Sequence, residues 1–281
     1  MGGNRRPLRE IGEFGLLRRV RKWMQPSNPS LIQGIGADVA VFEAGEEALL
    51  ATTDILIEGI HFLRDGTSPY HLAKKALAVN LSDIASMGGA PSYYLLSLGL
   101  PADIPFSFVS LFYRGLKAMA TPYQVDLIGG DTSLSPNIVI NICLLGEGKK
   151  KNLIYRNGAR EEDDLYATGT LGDSALGWRL LQGKKLEKPP KHLIRRHLSP
   201  TPRVHLGRIL GRRGLATAMI DVSDGLLIDL AHILEESRKG ARIWEDQIPL
   251  SKPYRDHIGL VSEDPFRIAL SGGEDYELLF T

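Results

Sequence analysis

The stretch Ala76-Leu77-Ala78-Val79-Asn80-Leu81-Ser82-Asp83-Ile84-Ala85-Ser86-Met87 decides the fold. It reads as the end of a long helix, Tyr70 to Met87, stopped by Gly88-Gly89. Its residues are apolar almost all round, which predicts burial on several faces. Asn80 and Asp83 are three apart and so lie on one side. A buried carboxylate is costly unless it is paired or metal-bound, and no basic residue lies between Lys75 and Arg114. Two readings stay open for Asp83: a hydrogen-bonded structural acid, or a ligand.

Around this helix the pattern alternates. Strand-like segments lie at Val39 to Phe42 and Leu49 to Thr53 before it, and at Tyr93 to Leu100, Val125 to Ile128 and Ile138 to Leu145 after it. A helix is predicted over Phe106 to Ala120, and an amphipathic opening helix over Glu10 to Met24, with Ile11, Phe14, Leu17 and Val20 at helical spacing. Gly146 to Asp164 is rich in glycine and charge, so the domain connection is placed there, with one domain over 1–150 and another over 151–281. The second half predicts strands at Leu165 to Thr168, Thr217 to Ile220, Ala241 to Trp244, Ile268 to Leu270 and Glu277 to Phe280. Its helices are Ser174 to Leu181, Arg203 to Leu210 and Leu226 to Glu236, with a polar loop over Gln182 to Lys191. The fold class is α+β: a mixed or antiparallel sheet with helices, then a C-terminal α/β domain. The sequence ends inside a strand, without a cap, which suggests that the natural protein continues.

Composition narrows the partners. The 281 residues sit where one core usually gives way to two. With 34 basic and 33 acidic residues interspersed, the net charge of +1 offers no field for nucleic acid or an anionic membrane, so a small or nucleotide ligand is expected. The single cysteine, Cys143, excludes an internal disulfide and reads as a buried strand thiol suited to a reducing cytosol. There is neither a leader-like apolar stretch after the basic start nor a membrane span, so the expected location is cytoplasmic.

Six acidic motifs accompany apolar segments: Gly36-Ala37-Asp38, Thr52-Thr53-Asp54, Asp83 of the helix, Gly129-Gly130-Asp131-Thr132, Asp221-Val222-Ser223-Asp224-Gly225 and Ser271-Gly272-Gly273-Glu274-Asp275. Each taken alone fits a loop cap or helix N-cap. Together they suit hard cations such as Mg²⁺, which take oxygen ligands, and glycines that let backbone N–H groups approach a phosphate. Two carboxylates about 4 Å apart repel by about 4 kcal/mol at an effective dielectric near 20, so convergence would call for cations. Mg²⁺ between carboxylates and phosphate oxygens is what phosphoryl transfer needs. Walker and protein-kinase signatures are absent, so ATP chemistry would use another scaffold.

In this order the motifs resemble those of the thiamine-monophosphate kinases, within the superfamily that includes aminoimidazole-ribotide synthetase, selenophosphate synthetase and a hydrogenase maturation protein. The blocks that carry the resemblance are Thr52-Thr53-Asp54-Ile55-Leu56-Ile57-Glu58-Gly59-Ile60-His61-Phe62, Lys75 to Asp83, Gly129 to Thr132, Asp221 to Gly225 and Ser271 to Leu278. The resemblance implies two α+β domains, a homodimer through the N-terminal halves, and ATP between domains near the dimer interface. It implies a reaction of ATP with thiamine monophosphate. It further implies that Asp38, Thr52, Thr53, Asp54, Asp83, Asp131, Asp221 and Asp224 hold several Mg²⁺ ions, with Asp131 and Asp224 central to catalysis. Tyr113, Gly130, Asp131, Arg156 and Ser223 would contact the nucleotide, and His61 and Glu274 would face the substrate. Read without the family, Arg156 is a solvated loop charge and His61 a core histidine. Many relatives read Gly-Asp-Asp where this chain has Gly36-Ala37-Asp38, and they carry a later segment with an aromatic residue near the thiamine ring. Two rival readings are another ATP-dependent enzyme of the superfamily and a non-catalytic nucleotide-binding regulator.

Overall fold

The computed structural model describes residues 8–183 and 190–281; most of the expected loop over 182–191 and the side chains of Ile11 and Phe14 lie outside the described residues. The first half runs α1 (Leu8–Trp23), β1 (Leu31–Gln33), β2 (Ala40–Ala44), β3 (Glu47–Ile57), α2 (Pro69–Ser86), β4 (Ala90–Leu100), α3 (Phe106–Ala120), β5 (Asp126–Leu134) and β6 (Val139–Lys149). Its strands form one sheet in the order β1-β2-β3-β6-β4-β5, antiparallel except for the parallel pair β4–β5. Period-two alternation gives the sheet two unlike faces. Leu50, Leu56, Leu96, Leu98, Ile140, Ile142 and Leu144 point into a core shared with α2 and α3. The opposite face leaves Leu49, Ile55 and Leu95 exposed.

The deciding helix forms as its sequence predicts. Ser68 caps α2, its hydroxyl accepting from the His71 N–H, and Pro69 occupies the first turn. Leu72, Leu77, Leu81 and Ile84 are fully buried, and α2 is covered on one side by the sheet and on another by the second half of the chain.

That second half runs β7 (Tyr166–Ala167), α4 (Asp173–Gln182), α5 (Lys191–Leu198), α6 (Val204–Arg213), β8 (Met219–Asp221), α7 (Leu226–Ser237), α8 (Lys252–His257), α9 (Arg267–Ser271) and β9 (Leu278–Phe280). A three-stranded antiparallel sheet, β7-β9-β8, is packed by a second core that includes Leu176, Leu193, Ile220, Leu230, Ile233, Tyr254 and Ile268. Val204, Leu210, Met219 and Leu278 cross into the first core, so the halves meet along α2.

Several expectations are corrected. Residues 241–244 form no strand, and Ile268 to Leu270 lie in α9, where the Ala269 N–H donates to the Tyr254 hydroxyl at 3.1 Å. Three apolar residues cannot distinguish a strand from a helical turn. Helix α5 was not anticipated, because its buried face contains Arg196 and His197 beside Leu193. Strands β3 and β5 run past their expected ends, which puts Asp54 inside β3 and Gly129-Gly130-Asp131-Thr132 inside β5 rather than in turns. Cys143, in β6, is half-buried.

Candidate active site

Alternation along β3 points Thr52 and Asp54 at α2. There the Thr52 hydroxyl meets an Asp83 carboxylate oxygen and also donates to the Asp38 backbone carbonyl at 2.9 Å. Asn80, one turn before Asp83, accepts the Asp54 N–H at 3.2 Å through its side-chain oxygen. The residue that precedes Asp83 on α2 faces the other half of the chain: the Ser82 hydroxyl donates to Asp221 Oδ2 at 2.6 Å. Asp221 ends β8 and is 1% exposed, and its Oδ1 has no hydrogen-bond partner. Arg156, in the short helical turn Arg156–Gly158, is buried and ion-pairs with Asp38, with Glu236 further off at 3.8 Å. It is no solvated loop charge.

Four carboxylates from four segments therefore share one partly buried junction. Burial, opposed by the hydrogen bond to Asp83 and aided by the charge of Asp38, pushes Asp54 up to about 6. Burial and then repulsion from Asp54, Asp221 and Asp38 hold Asp83 well above the usual carboxylate range, and burial followed by Asp38 does the same for Asp221. Arg156 offsets only part of this charge.

Among the described residues, no three His, Cys, Asp or Glu side chains close round one point. The donor set nevertheless fits Mg²⁺, which usually takes one or two carboxylates and completes its shell with water and phosphate oxygens. The orphaned Asp221 oxygen and the mutual repulsion of Asp38, Asp54, Asp83 and Asp221 are the observations that favour a cation.

Residues 36–147 match the family model "AIR synthase related protein, N-terminal domain", and residues 160–277 match its C-terminal counterpart. The chain belongs to the AIR synthase related family. Curated relatives are the thiamine-monophosphate kinases of Aquifex aeolicus, 39% identical over 98% of this chain and 87% of that protein, and of Salmonella typhimurium, 42% identical over 96% and 82%. Among solved structures, one described as AaThiL complexed with AMPPCP and TMP superposes with a TM-score of 0.90 at 37% identity, covering 99% of this chain and 87% of that one. The thiamine-monophosphate kinase from Stenotrophomonas maltophilia gives 0.77 at 37% identity, covering 96% and 85%.

Other expected site residues of this AIR synthase related chain lie apart from the carboxylate junction. Thr53 alternates to the far side of the sheet, where its hydroxyl accepts from Asn141 at 2.9 Å, so its side chain points away from the Asp54–Asp83 junction. Asp131 pairs in register with Ser97, which pairs with Asn141 and through it with Ile55. That row is on the exposed face, three strand spacings or about 14 Å from β3, too far for Asp131 to share an ion with Asp54 in one chain. Gly130 sits in the same strand. Tyr113 lies on α3, exposed and edge-on to Phe112. His61, in the turn after β3, uses its Nδ1 to accept from the Ile57 N–H at 3.0 Å. Asp224 is exposed at the rim, while half-buried Ser223 accepts the Glu274 N–H at 2.7 Å through its carbonyl.

Sequence reasoning missed Ser82, Lys75 and His197. Nothing separates Ser82 from other small residues of α2. The Lys74-Lys75 pair gives no sign of which lysine turns inward; Lys75 is 1% exposed with its Nζ 2.7 Å from Glu274.

Two buried acids and the half-buried Glu274, all outside the junction, set a pH dependence. Burial pushes Asp229, which accepts the Gly225 and Asp224 N–H groups, up to about 7, and does the same for Asp275, which accepts those of Gly172 and Ser174. Both hold a proton more tightly in the fold than in the unfolded chain, so each lowers stability as pH rises from 3.8 to about 7. Glu274 behaves oppositely. Burial works to raise it, but Lys75 and His197 overcome this and hold it at about 2, so its contribution is full above 4.5 and lost as pH falls toward 2. In divalent-free buffer the urea midpoint is expected to peak at about pH 4 to 5 and decline toward pH 7. A midpoint that climbs throughout that interval would contradict the burial argument.

Proposed function

We infer that this chain is a thiamine-monophosphate kinase, transferring the γ-phosphoryl group of ATP to the phosphate of thiamine monophosphate to give thiamine diphosphate and ADP. The observation that carries the chemistry is the junction of Asp38, Asp54, Asp83 and Asp221 with its orphaned oxygen. The identity of the acceptor follows the relatives. Asp38, Thr52, Asp54, Asp83, Asp221 and Asp224 would hold Mg²⁺, which when bound neutralises polyphosphate charge. Arg156 and Ser223 would orient the nucleotide, and Glu274 and His61 the acceptor. The attacking group is a phosphate oxygen already largely ionised near neutral pH, its second pKa being about 6, so no strong general base is needed. In-line placement and charge stabilisation would supply the acceleration.

The reading includes a homodimer working in the cytoplasm. The exposed Leu49, Ile55 and Leu95 face and the uncovered edge of β5 suit a second copy, and Asp131 shares that face. A second copy's Asp131, Gly130 and Tyr113 could then complete the nucleotide site. Light scattering is expected to give a dimer. Leu95→Lys should give a folded monomer with ADP formation lowered by at least about tenfold, since an unpaired charge in an apolar interface costs more than 1.4 kcal/mol.

The decisive assay compares ADP release with thiamine monophosphate, thiamine and no acceptor. Turnover only with the monophosphate is expected. ATP binding without acceptor-dependent turnover would favour the regulator reading.

A further inference from the structure

Lys75 is a buried cation of α2 that stands apart from the carboxylate junction. Its side chain is 1% exposed, and its ammonium lies 2.7 Å from Glu274 Oε1 but in poor hydrogen-bonding alignment, so its three donors have no well-formed partner. On its other side Glu274 meets His197 Nδ1 at 3.2 Å, and the His197 ring stacks on Trp178 with centroids 4.9 Å apart. Glu274 also holds a left-handed backbone, φ +66°, unusual for a residue with a side chain. The segment around it is laced to the Asp221–Gly225 loop: the Glu274 N–H donates to the Ser223 carbonyl at 2.7 Å and the Tyr276 N–H to the Val222 carbonyl at 2.9 Å.

An ion pair of this kind is poor support for stability. Removing an ammonium from water is expensive, and apolar replacement of a buried pair is often neutral or stabilising. Placement accounts for it better. Lys75 lies two helical turns before Asp83 on α2, so the helix that carries a junction carboxylate from one half grips the side chain that faces the acceptor from the other.

We propose that Lys75 is a positioning residue, which fixes the Glu274 carboxylate, and with it the 271–276 segment, in the place that receives thiamine monophosphate. This rests on the reading of Glu274 as an acceptor contact. Lys75 acts only through Glu274, so its removal should weaken acceptor binding while sparing the nucleotide.

The test is a double-mutant cycle on the full chain with Lys75→Met and Glu274→Gln, measuring kcat, KM for thiamine monophosphate, KM for ATP and the thermal midpoint. Lys75→Met is expected to raise KM for the acceptor by at least tenfold, change KM for ATP by less than threefold and lower the midpoint, because Glu274 loses its nearest partner. The double variant should be no worse than Glu274→Gln alone, because two residues acting through one contact are not additive. Lys75→Gln serves if the methionine variant does not fold, and Lys75→Arg should recover part of the acceptor affinity. An unchanged acceptor KM in the Lys75 variants, or effects that multiply in the double variant, would overturn the proposal. So would a rise of similar size in both KM values, which is what a merely structural lysine gives. Wild-type protein without turnover on thiamine monophosphate would instead count against the kinase reading, and the cycle would then be read in acceptor binding by calorimetry.

Discussion

Asp221→Asn is expected to cut turnover of thiamine monophosphate by about 10²- to 10³-fold at saturating substrates, the range typical of losing one preorganised electrostatic group. Asparagine keeps the volume of Asp221, and its oxygen can still accept the Ser82 hydroxyl. Its amide, however, would stand where the orphaned Oδ1 now points and would present hydrogens to any cation. The substitution removes a buried charge that burial and Asp38 already disfavour, so the thermal midpoint in chelator should hold steady or rise. Mg²⁺ should raise the wild-type midpoint by mass action and the variant midpoint by less. Activity and stability thus move in opposite directions, which separates a ligand from a structural acid. Near-normal turnover at saturating Mg²⁺ would remove Asp221 from the mechanism.

How much of this was legible beforehand depended on the range of the interaction. Helix α3 has the ends that its sequence gives, and α2 differs by a residue at each end, because spacing, caps and apolar faces are local signals. Thr52-Thr53-Asp54 reads as a turn only because its polar residues resemble one. In the sheet, the alternation that buries Thr52 and Asp54 against α2 sends Thr53 to the far side. The repeated motifs left the convergence of Asp38, Asp54, Asp83 and Asp221 conditional and the family resemblance implied it, whereas neither indicated the separation of Asp131. Sheet order decides it, and order is fixed by pairing over long distances. Arg156 shows the same limit: Tyr155-Arg156-Asn157-Gly158 looks like an exposed loop, and its burial depends on Asp38 and Glu236 arriving from elsewhere.

Gly130→Ala should be the most disruptive small change in the N-terminal half, costing about 3 kcal/mol or more and abolishing ADP formation. Gly130 has φ +151°, and a Cβ there would stand 1.8 Å from the Leu96 carbonyl oxygen, a backbone atom that cannot turn aside. Relief requires β5 to separate from β4, which displaces Asp131 and the edge proposed to meet a second copy. Gly129→Ala provides the comparison. Its φ of +157° is equally unusual, yet its Cβ would lie 3.4 Å from a Leu95 methyl, an ordinary contact. That variant carries only the dihedral strain, about 1 to 3 kcal/mol, and should remain folded with measurable turnover. Urea unfolding of the two proteins side by side isolates the clash from the strain. Equal losses would mean that β5 is pliable enough to move away, and that Gly130 is required for its backbone angle alone.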